Sequence, residues 1–245
     1  MRFEDVVHAP STPLDAPAFP AGPYRFTGRE YLNITYRTDP GALERVVPEP
    51  LRVAEPLVRF EVMRMPDVTG LGDYTESGQL ALVEYEGETG EYCLSMYVDN
   101  FPAIASGREI GAFPKKLGRP RLHVDQDTLV GTLDYGSLPV ARATMGYKHR
   151  ELAIEKAREE LTLPTFMLKK LPHYDGTTPR ICELVRTRIS DLTVKGAWSG
   201  PARLQLMAHA LAPLADLPVL EVVSASHILT DLTLGRARVV HDYLA

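Results

Sequence analysis

The sequence has little cysteine and no long apolar run, and both shortages exclude classes of protein. Its two cysteines, Cys93 and Cys182, lie far apart and match neither a zinc-binding nor a redox spacing. We therefore predict reduced, buried thiols in a cytoplasmic protein. No stretch approaches the roughly 18 continuous apolar residues that a membrane-spanning helix requires. Residues 1–6 carry two acids and no apolar run, so we expect neither a signal peptide nor a membrane partner.

Basic residues are also fewer than acidic ones: the 27 lysines and arginines and the 32 aspartates and glutamates give a net charge of -5. The cations are spread along the chain, which argues against a nucleic-acid partner. At 245 residues, with 44% hydrophobic and 24% charged residues, the composition is that of an ordinary globular protein. We predict a single domain over residues 1–245, since no linker divides the chain.

Motifs for common cofactors and catalytic groups are missing as well. The seven histidines form no metal-binding spacing such as HxxH or HExxH. Gly70-Leu71-Gly72 lacks the third glycine of a dinucleotide-binding loop. Neither a phosphate-binding P-loop nor a nucleophile elbow is present. A zinc enzyme, a nucleotide-dependent enzyme and a serine hydrolase are therefore unsupported.

Short β-strand patterns dominate what the sequence does contain. Residues 31–36 are β-branched and aromatic, and residues 58–63 alternate apolar and polar side chains, as a half-buried strand does. Residues 79–85 and 92–98 predict a hairpin, whereas the polar residues 67–78 before it predict a loop. Further strands are predicted over residues 121–124, 128–135, 140–147, 165–171, 181–192, 202–207, 221–234 and 236–242.

Helices are few and short in this interpretation. Asp39 followed by Pro40 is typical of a helix start, and two more helices are predicted over residues 103–109 and 152–161. The five prolines of residues 9–23 indicate an irregular lead-in. Strands cluster without a regular alternation of strand and helix. We therefore predict a mainly β (α+β) fold, an antiparallel β-barrel or sandwich with a few short helices.

A lysine pair is the strongest candidate for chemistry. Lys115 and Lys116 follow a phenylalanine and a proline and precede a leucine and a glycine, so their neighbours are largely apolar. Burial disfavours the charged form of a lysine, and an uncharged amine attacks a ketone or an aldehyde to form a Schiff base. Taken alone, the pattern also fits a solvated pair with a structural role, which is the commoner arrangement for lysines.

Several stretches along the chain resemble the acetoacetate decarboxylase family, close to its clostridial type. The stretches are Arg108–Gly118 (REIGAFPKKLG), Asp127–Tyr135 (DTLVGTLDY), Ala143–His149 (ATMGYKH), Arg180–Leu184 (RICEL), Ala197–Leu206 (AWSGPARLQL) and Ser224–Leu232 (SASHILTDL). The resemblance implies the β-rich acetoacetate decarboxylase fold and a Schiff base on Lys115. It further implies that Arg29 and Glu76 belong to the active site. Lys116 and Glu61 are implied as supporting residues.

The same resemblance implies a reaction and an assembly. The reaction is the conversion of acetoacetate, a small β-keto acid, to acetone and CO₂ without a metal or an organic cofactor. The assembly is a large homo-oligomer, with which the proline-rich residues 9–23 are compatible as a subunit contact.

Such a reaction needs an electron sink and an uncharged amine. A protonated imine accepts electrons from a breaking C–C bond better than a ketone does, because its nitrogen is already positive. In an extended backbone Lys116 faces away from Lys115 and could pair with Glu61. We therefore expect apolar surroundings, more than repulsion from Lys116, to keep Lys115 uncharged.

The expected roles of Arg29 and Glu76 follow from where charge disperses. A cation that grips the substrate carboxylate throughout stabilises the ground state more than the transition state. Arg29 is thus expected to recognise or orient, and it could hold Glu76, which could shuttle protons or position the acetoacetyl group. Two alternatives stay open: aldol or dehydratase chemistry on 2-oxo acids by the same fold and lysine, and a non-catalytic barrel that binds a small ligand.

Overall fold

The computed structural model describes all 245 residues and is dominated by strands. Strands make up 56% of the chain and helices 13%, which confirms the mainly β class. The strands are β1 (Tyr24–Arg37), β2 (Arg52–Val68), β3 (Gly72–Tyr85), β4 (Glu88–Val98), β5 (Lys115–Leu117), β6 (Arg119–Asp125), β7 (Thr128–Tyr135), β8 (Leu138–Gly146), β9 (Arg150–Glu151), β10 (Thr165–Pro172), β11 (Pro179–Thr187), β12 (Ile189–Ser199), β13 (Ala202–Leu206), β14 (Glu221–Leu234) and β15 (Arg238–Asp242). The helices are α1 (Phe3–His8), α2 (Pro40–Glu44), α3 (Phe101–Glu109) and α4 (Ile154–Leu161), and Leu214–Asp216 form a 3₁₀ turn.

The strands form two sheets. The larger has eleven strands in the order β15-β11-β10-β4-β3-β2-β1-β14-β12-β9, with β5 added beside β4, and the smaller has the order β13-β8-β7-β6. Pairing is antiparallel except where β5 and β10 run parallel to β4. The predicted antiparallel character is therefore confirmed with two exceptions. Glu86 and Gly87, at φ values of 51° and 82°, close the predicted hairpin of β3 and β4 as a two-residue type I′ turn.

Alternation along the central strands divides the interior into two apolar clusters. Val58, Phe60 and Val62 of β2 point to one face of the large sheet and pack in a cluster that includes Leu129 of the small sheet. Met63 points to the other face, in a cluster that includes residues of α3 and α4. The alternation predicted for this strand is confirmed.

Burial of β2 exceeds the prediction, because both faces of residues 58–63 are covered. Arg59 and Glu61, on the face that a half-buried strand would leave in water, are only 9% and 4% exposed. The helices α3 and α4 pack on that face and exclude water from it. Charged side chains in such a position need partners of opposite charge, because an unpaired buried ion is costly.

The connection between β2 and β3 also differs from the prediction. The loop expected over residues 67–78 is reduced to residues 69–71, because β2 extends to Val68 and β3 begins at Gly72. Glu76 therefore lies inside a strand and pairs with β2 on one side and β4 on the other. Neighbouring strands on both sides override the polar composition of this segment.

The predicted helices are present with small changes at their ends. Asp39 caps α2 by accepting a hydrogen bond from the backbone nitrogen of Ala42 at 2.7 Å, and this helix ends at Glu44. The other two predicted helices correspond to α3 and α4, and each start differs from the prediction by two residues. Among all the helices, none combines the length and apolar character that crossing a membrane demands.

Most of the remaining predictions are confirmed as well. Residues 9–23 form neither helix nor strand, and the later predicted strands are present. The strand predicted over residues 181–192 is two strands, β11 and β12, separated at Arg188. Both cysteines are free; Cys93 is buried as predicted, and Cys182 is half-buried.

Candidate active site

A cavity of about 410 Å³ lies on the face of the large sheet that α3 and α4 cover. Arg29, Glu61, Glu76 and Lys115, four of the five predicted site residues, line it, whereas Lys116 does not. Much of the remaining wall is aromatic or apolar and includes Phe26, Tyr31, Tyr74, Leu80, Met96 and Phe113. A largely apolar cavity with a few converging polar groups is the usual form of a small-molecule site.

Strand register explains why residues far apart in sequence meet at this cavity. Met63 of β2 pairs with Tyr31 of β1 on one side and with Glu76 of β3 on the other. Lys115 of β5 pairs with Met96 of β4. Paired residues point to the same face of a sheet, so β1, β2, β3 and β5 each present a side chain to the cavity.

The side chain of Lys115 is buried, as predicted, with 7% of its surface exposed. Its Nζ donates a hydrogen bond to Oε2 of Glu76 at 2.9 Å and lies 5.5 Å and 5.7 Å from the ring centroids of Phe113 and Tyr74. Gly107 of α3 permits the helix to pack directly on this lysine, since a Cβ there would lie 2.6 Å from the lysine Cδ. The amine therefore has a carboxylate on one side and aromatic rings around it.

The segment between α3 and β5 is tied down at several points. Arg108 donates from Nη1 to the backbone oxygen of Lys115 at 3.1 Å. Lys169 of β10 donates to the backbone oxygens of Arg108 and Glu109 at the end of α3, and burial lowers the pKa of this lysine. Ala112, at a φ of 65°, turns the chain back toward the sheet. The main chain that carries the buried amine is thus fixed on both sides.

Lys116 faces the opposite side of β5, which confirms the predicted alternation of the two lysines. Its Nζ donates to the backbone oxygen of Leu211 at 2.5 Å and lies 4.8 Å from the ring centroid of Tyr135. The predicted pairing of Lys116 with Glu61 is wrong, because Glu61 points into the cavity on the other face of the sheet. Lys116 is joined to the lining of the cavity only through the backbone of β5.

Arg29 and Glu76 form a buried ion pair, with Nη2 of the arginine 3.7 Å from Oε1 of the glutamate. The guanidinium also lies 5.0 Å and 4.7 Å from the ring centroids of Phe26 and Tyr31. Burial lowers the pKa of Arg29, but the negative charges that Tyr31 and Glu76 can carry outweigh burial and leave the pKa raised. Glu76 therefore lies between two basic side chains, with Arg29 near one oxygen and Lys115 hydrogen-bonded to the other.

Glu61 lies beside Arg59, which no sequence motif singles out. Nε of Arg59 is 3.5 Å from Oε2 of Glu61, and its Nη2 is 2.5 Å from Oε2 of Glu91. Burial raises the pKa of Glu61, against the attraction of Arg59 and Arg29. The two-residue spacing of Arg59 and Glu61 on one strand was a signal that they share a face. Glu91 and Gly107 gave no such signal, because only the folded chain brings them here.

Three basic and three acidic side chains meet in and behind the cavity. The basic side chains are Arg29, Arg59 and Lys115, and the acidic ones are Glu61, Glu76 and Glu91, each no more than 9% exposed. The apolar walls lower the local dielectric and strengthen these interactions. The arrangement can hold a small carbonyl compound beside the amine of Lys115 and can exchange a proton between that amine and Glu76. No group of three or more His, Cys, Asp or Glu side chains is placed to hold a metal ion.

These features define a mainly β protein with a largely apolar cavity and a buried cluster of lysine, carboxylate and arginine. Residues 9–244 match the family described as Acetoacetate decarboxylase (ADC). The chain belongs to the acetoacetate decarboxylase family.

Individual relatives and a solved structure agree with this assignment. A Streptomyces nogalater protein named acetoacetate decarboxylase is 88% identical, and the match covers 100% of both chains. A Clostridium acetobutylicum protein of the same name is 61% identical, again over 100% of both chains. The solved structure described as "Structural Studies of Acetoacetate Decarboxylase" has a TM-score of 0.98 at 60% identity and covers 100% of both chains. The family and the fold implied by the matching stretches are confirmed.

Proposed function

We propose that this protein converts acetoacetate to acetone and CO₂ through a Schiff base on Lys115. The observation that carries the proposal is the buried amine of Lys115, 2.9 Å from a carboxylate of Glu76 within a largely apolar cavity. Membership of the acetoacetate decarboxylase family supports the choice of acetoacetate as the substrate.

The first half of the reaction joins the amine to the substrate ketone. Glu76 takes the proton of the Lys115 ammonium through their hydrogen bond, and the free amine attacks C3 of acetoacetate. A proton passes from the attacking nitrogen to the alkoxide oxygen, which gives the carbinolamine, and Glu76 then returns its own proton to that oxygen, which leaves as water. The product is an iminium ion, whose positive nitrogen lies two bonds from the carbon that carries the carboxylate.

The second half breaks the C–C bond. The electron pair of that bond moves into the C=N⁺ group, CO₂ leaves, and a neutral enamine remains. A proton adds to the terminal carbon of the enamine, and water then hydrolyses the resulting iminium to acetone and free Lys115. The balance is one acetoacetate anion and one proton consumed for each acetone and CO₂ formed.

Arg29 acts on this reaction through Glu76. Its guanidinium lies near the second oxygen of Glu76 and against two aromatic rings, so it fixes the carboxylate that exchanges the proton. A direct and permanent grip on the substrate carboxylate would oppose the reaction, because that charge is lost in the transition state.

Hydride trapping tests the proposal. With acetoacetate and borohydride, Lys115 should gain an isopropyl group, the reduced form of the acetone Schiff base, and mass spectrometry of the peptide locates it. Lys115→Gln should gain no adduct and release no CO₂, whereas Lys116→Gln, the matched control, should still be labelled at Lys115.

Three results would contradict the proposal in different ways. Turnover of acetoacetate with Lys115 left unmodified would exclude the Schiff base. An unmodified Lys115 without any turnover would favour a protein that only binds a small ligand, and a trapped 2-oxo acid without CO₂ release would favour aldol or dehydratase chemistry.

A further inference from the structure

Arg59 is shared between two carboxylates, of which only one lines the cavity. Its Nη2 donates to Oε2 of Glu91 at 2.5 Å, and its Nε lies 3.5 Å from Oε2 of Glu61. Glu61 and Arg59 line the cavity, and Glu91 lies behind them on β4. The Nε atom of Arg59 is buried and has no hydrogen-bond partner.

The guanidinium of Arg59 is anchored from its far side. Besides the bond to Glu91, Nη1 donates to the backbone oxygen of Glu160 in α4 at 3.3 Å. The side chain of Glu160 is held in turn by Asn33 at 2.7 Å and by Ser226 at 2.8 Å. Glu91 of β4 and Glu160 of α4, neither of which lines the cavity, therefore fix the position from which Arg59 faces Glu61.

We propose that Arg59, anchored by Glu91, is a positioning residue that keeps Glu61 ionised and in place on the cavity wall. The inference rests on the proposed function, because it supposes that decarboxylation requires Glu61 in its ionised form. Arg59 acts through Glu61 and need not touch the substrate.

The charged groups around Glu61 make its ionisation depend on Arg59. The titratable groups that face it are Arg29 and Tyr31 from β1, Arg59 from β2, Glu76 from β3, Cys93 and Glu91 from β4, and Glu160 from α4. Arg59 is the cation within ion-pair distance of Glu61, whereas the acidic neighbours favour its protonation. Loss of Arg59 would leave a buried carboxylate without a close partner, and the carboxylate would take up a proton.

Competition between Glu61 and Glu91 for one guanidinium predicts opposite effects of two variants. Arg59→Met removes the cation, so the acid limb of the pH profile of kcat/KM should move up by about one pH unit. At a pH below that limb, kcat/KM should then fall about tenfold. Glu91→Gln leaves the guanidinium less engaged behind the wall and freer to turn toward Glu61. The acid limb should then move to lower pH.

The effect of these variants on the stability of the fold must be separated from their effect on the pH profile. Arg59→Met leaves Glu91 buried and unpaired, which by itself destabilises the fold. The double variant Arg59→Met/Glu91→Met removes both charges and should regain most of the melting temperature, while its acid limb stays displaced upward. Arg52→Met, which breaks the exposed pair between Arg52 of β2 and Glu84 of β3, serves as the control and should keep the wild-type profile.

Two outcomes would overturn the inference about Arg59, and a third would count against the proposed function. A double variant with wild-type kcat/KM and a wild-type pH profile would show that Arg59 only neutralises Glu91, and would overturn the inference. Acid limbs of Arg59→Met and Glu91→Gln that move in the same direction, or do not move, would also overturn it. If the wild-type protein itself neither releases CO₂ nor is trapped at Lys115, the proposed function fails instead.

Discussion

Gly107→Ala tests whether the position of the Lys115 amine matters, through an added methyl group that itself takes part in no chemical step. Gly107 lies in α3, and an added Cβ would be 2.6 Å from Cδ, 2.8 Å from Cε and 3.3 Å from Nζ of Lys115. Carbon atoms need about 3.5–4.0 Å, so the lysine side chain must move by about 1 Å. The lysine can yield because it is long and flexible, and α3 stays intact.

The expected effects on stability and activity differ in size. Alanine is favoured over glycine inside a helix by about 1 kcal/mol, and overpacking a buried site costs about 1–3 kcal/mol. The net change in the free energy of unfolding should therefore be a loss of no more than about 2 kcal/mol. A reacting group displaced by about 1 Å can lose about 100-fold in rate, so kcat should fall by that order.

Three measurements separate the two effects: CO₂ release, the rate of hydride trapping at Lys115, and thermal unfolding. Gly41→Ala is the matched control, since Gly41 is also a helical glycine and its added Cβ would meet atoms at ordinary distances of 3.5 Å and 3.7 Å. That variant should keep wild-type activity. Wild-type kcat and trapping rate in a folded Gly107→Ala protein would refute the reasoning.

Three further predictions concern the surroundings of the site and the assembly. Lys116→Ala should leave the pH dependence of labelling at Lys115 nearly unchanged, because the two side chains face opposite sides of β5; a large displacement would favour repulsion between the lysines. Burial raises the pKa of Glu91 from 4.5 to about 7, so the folded state binds more protons than the unfolded state between these values. Stability should therefore fall as pH rises through this range, by up to roughly 3 kcal/mol, and urea unfolding of Glu91→Gln should lack that slope. Light scattering should give a mass several times that of one chain, as a homo-oligomer requires; a monomer would contradict it.

Much of the fold could be predicted because the relevant patterns are local. Asp39 followed by Pro40 predicts the start of α2, and the alternation of residues 58–63 predicts both the strand and which side chains share a face. The opposite directions of Lys115 and Lys116 follow from the same period of two. Glu76 was misplaced in a loop because its strand is defined by partners on both sides, not by its own polar sequence.

The candidate site could also be predicted only in part. The resemblance to the family pointed to Lys115, Glu76, Arg29 and Glu61, and all four line one cavity. The partner of Glu61 could not be predicted, because that required knowing that helices cover the second face of β2. Once that face is closed, Glu61 needs a nearby cation, and Arg59, two residues away on the same strand, is in reach.

By itself, the sequence determined the class of the fold, the direction of each side chain along its strand and the presence of a lysine pair among apolar neighbours. The tertiary structure decided which of those side chains lose contact with water and which opposite charges they meet. The physical reason is range: strand alternation depends on adjacent residues, whereas burial and ion pairing depend on strands and helices brought together from across the chain.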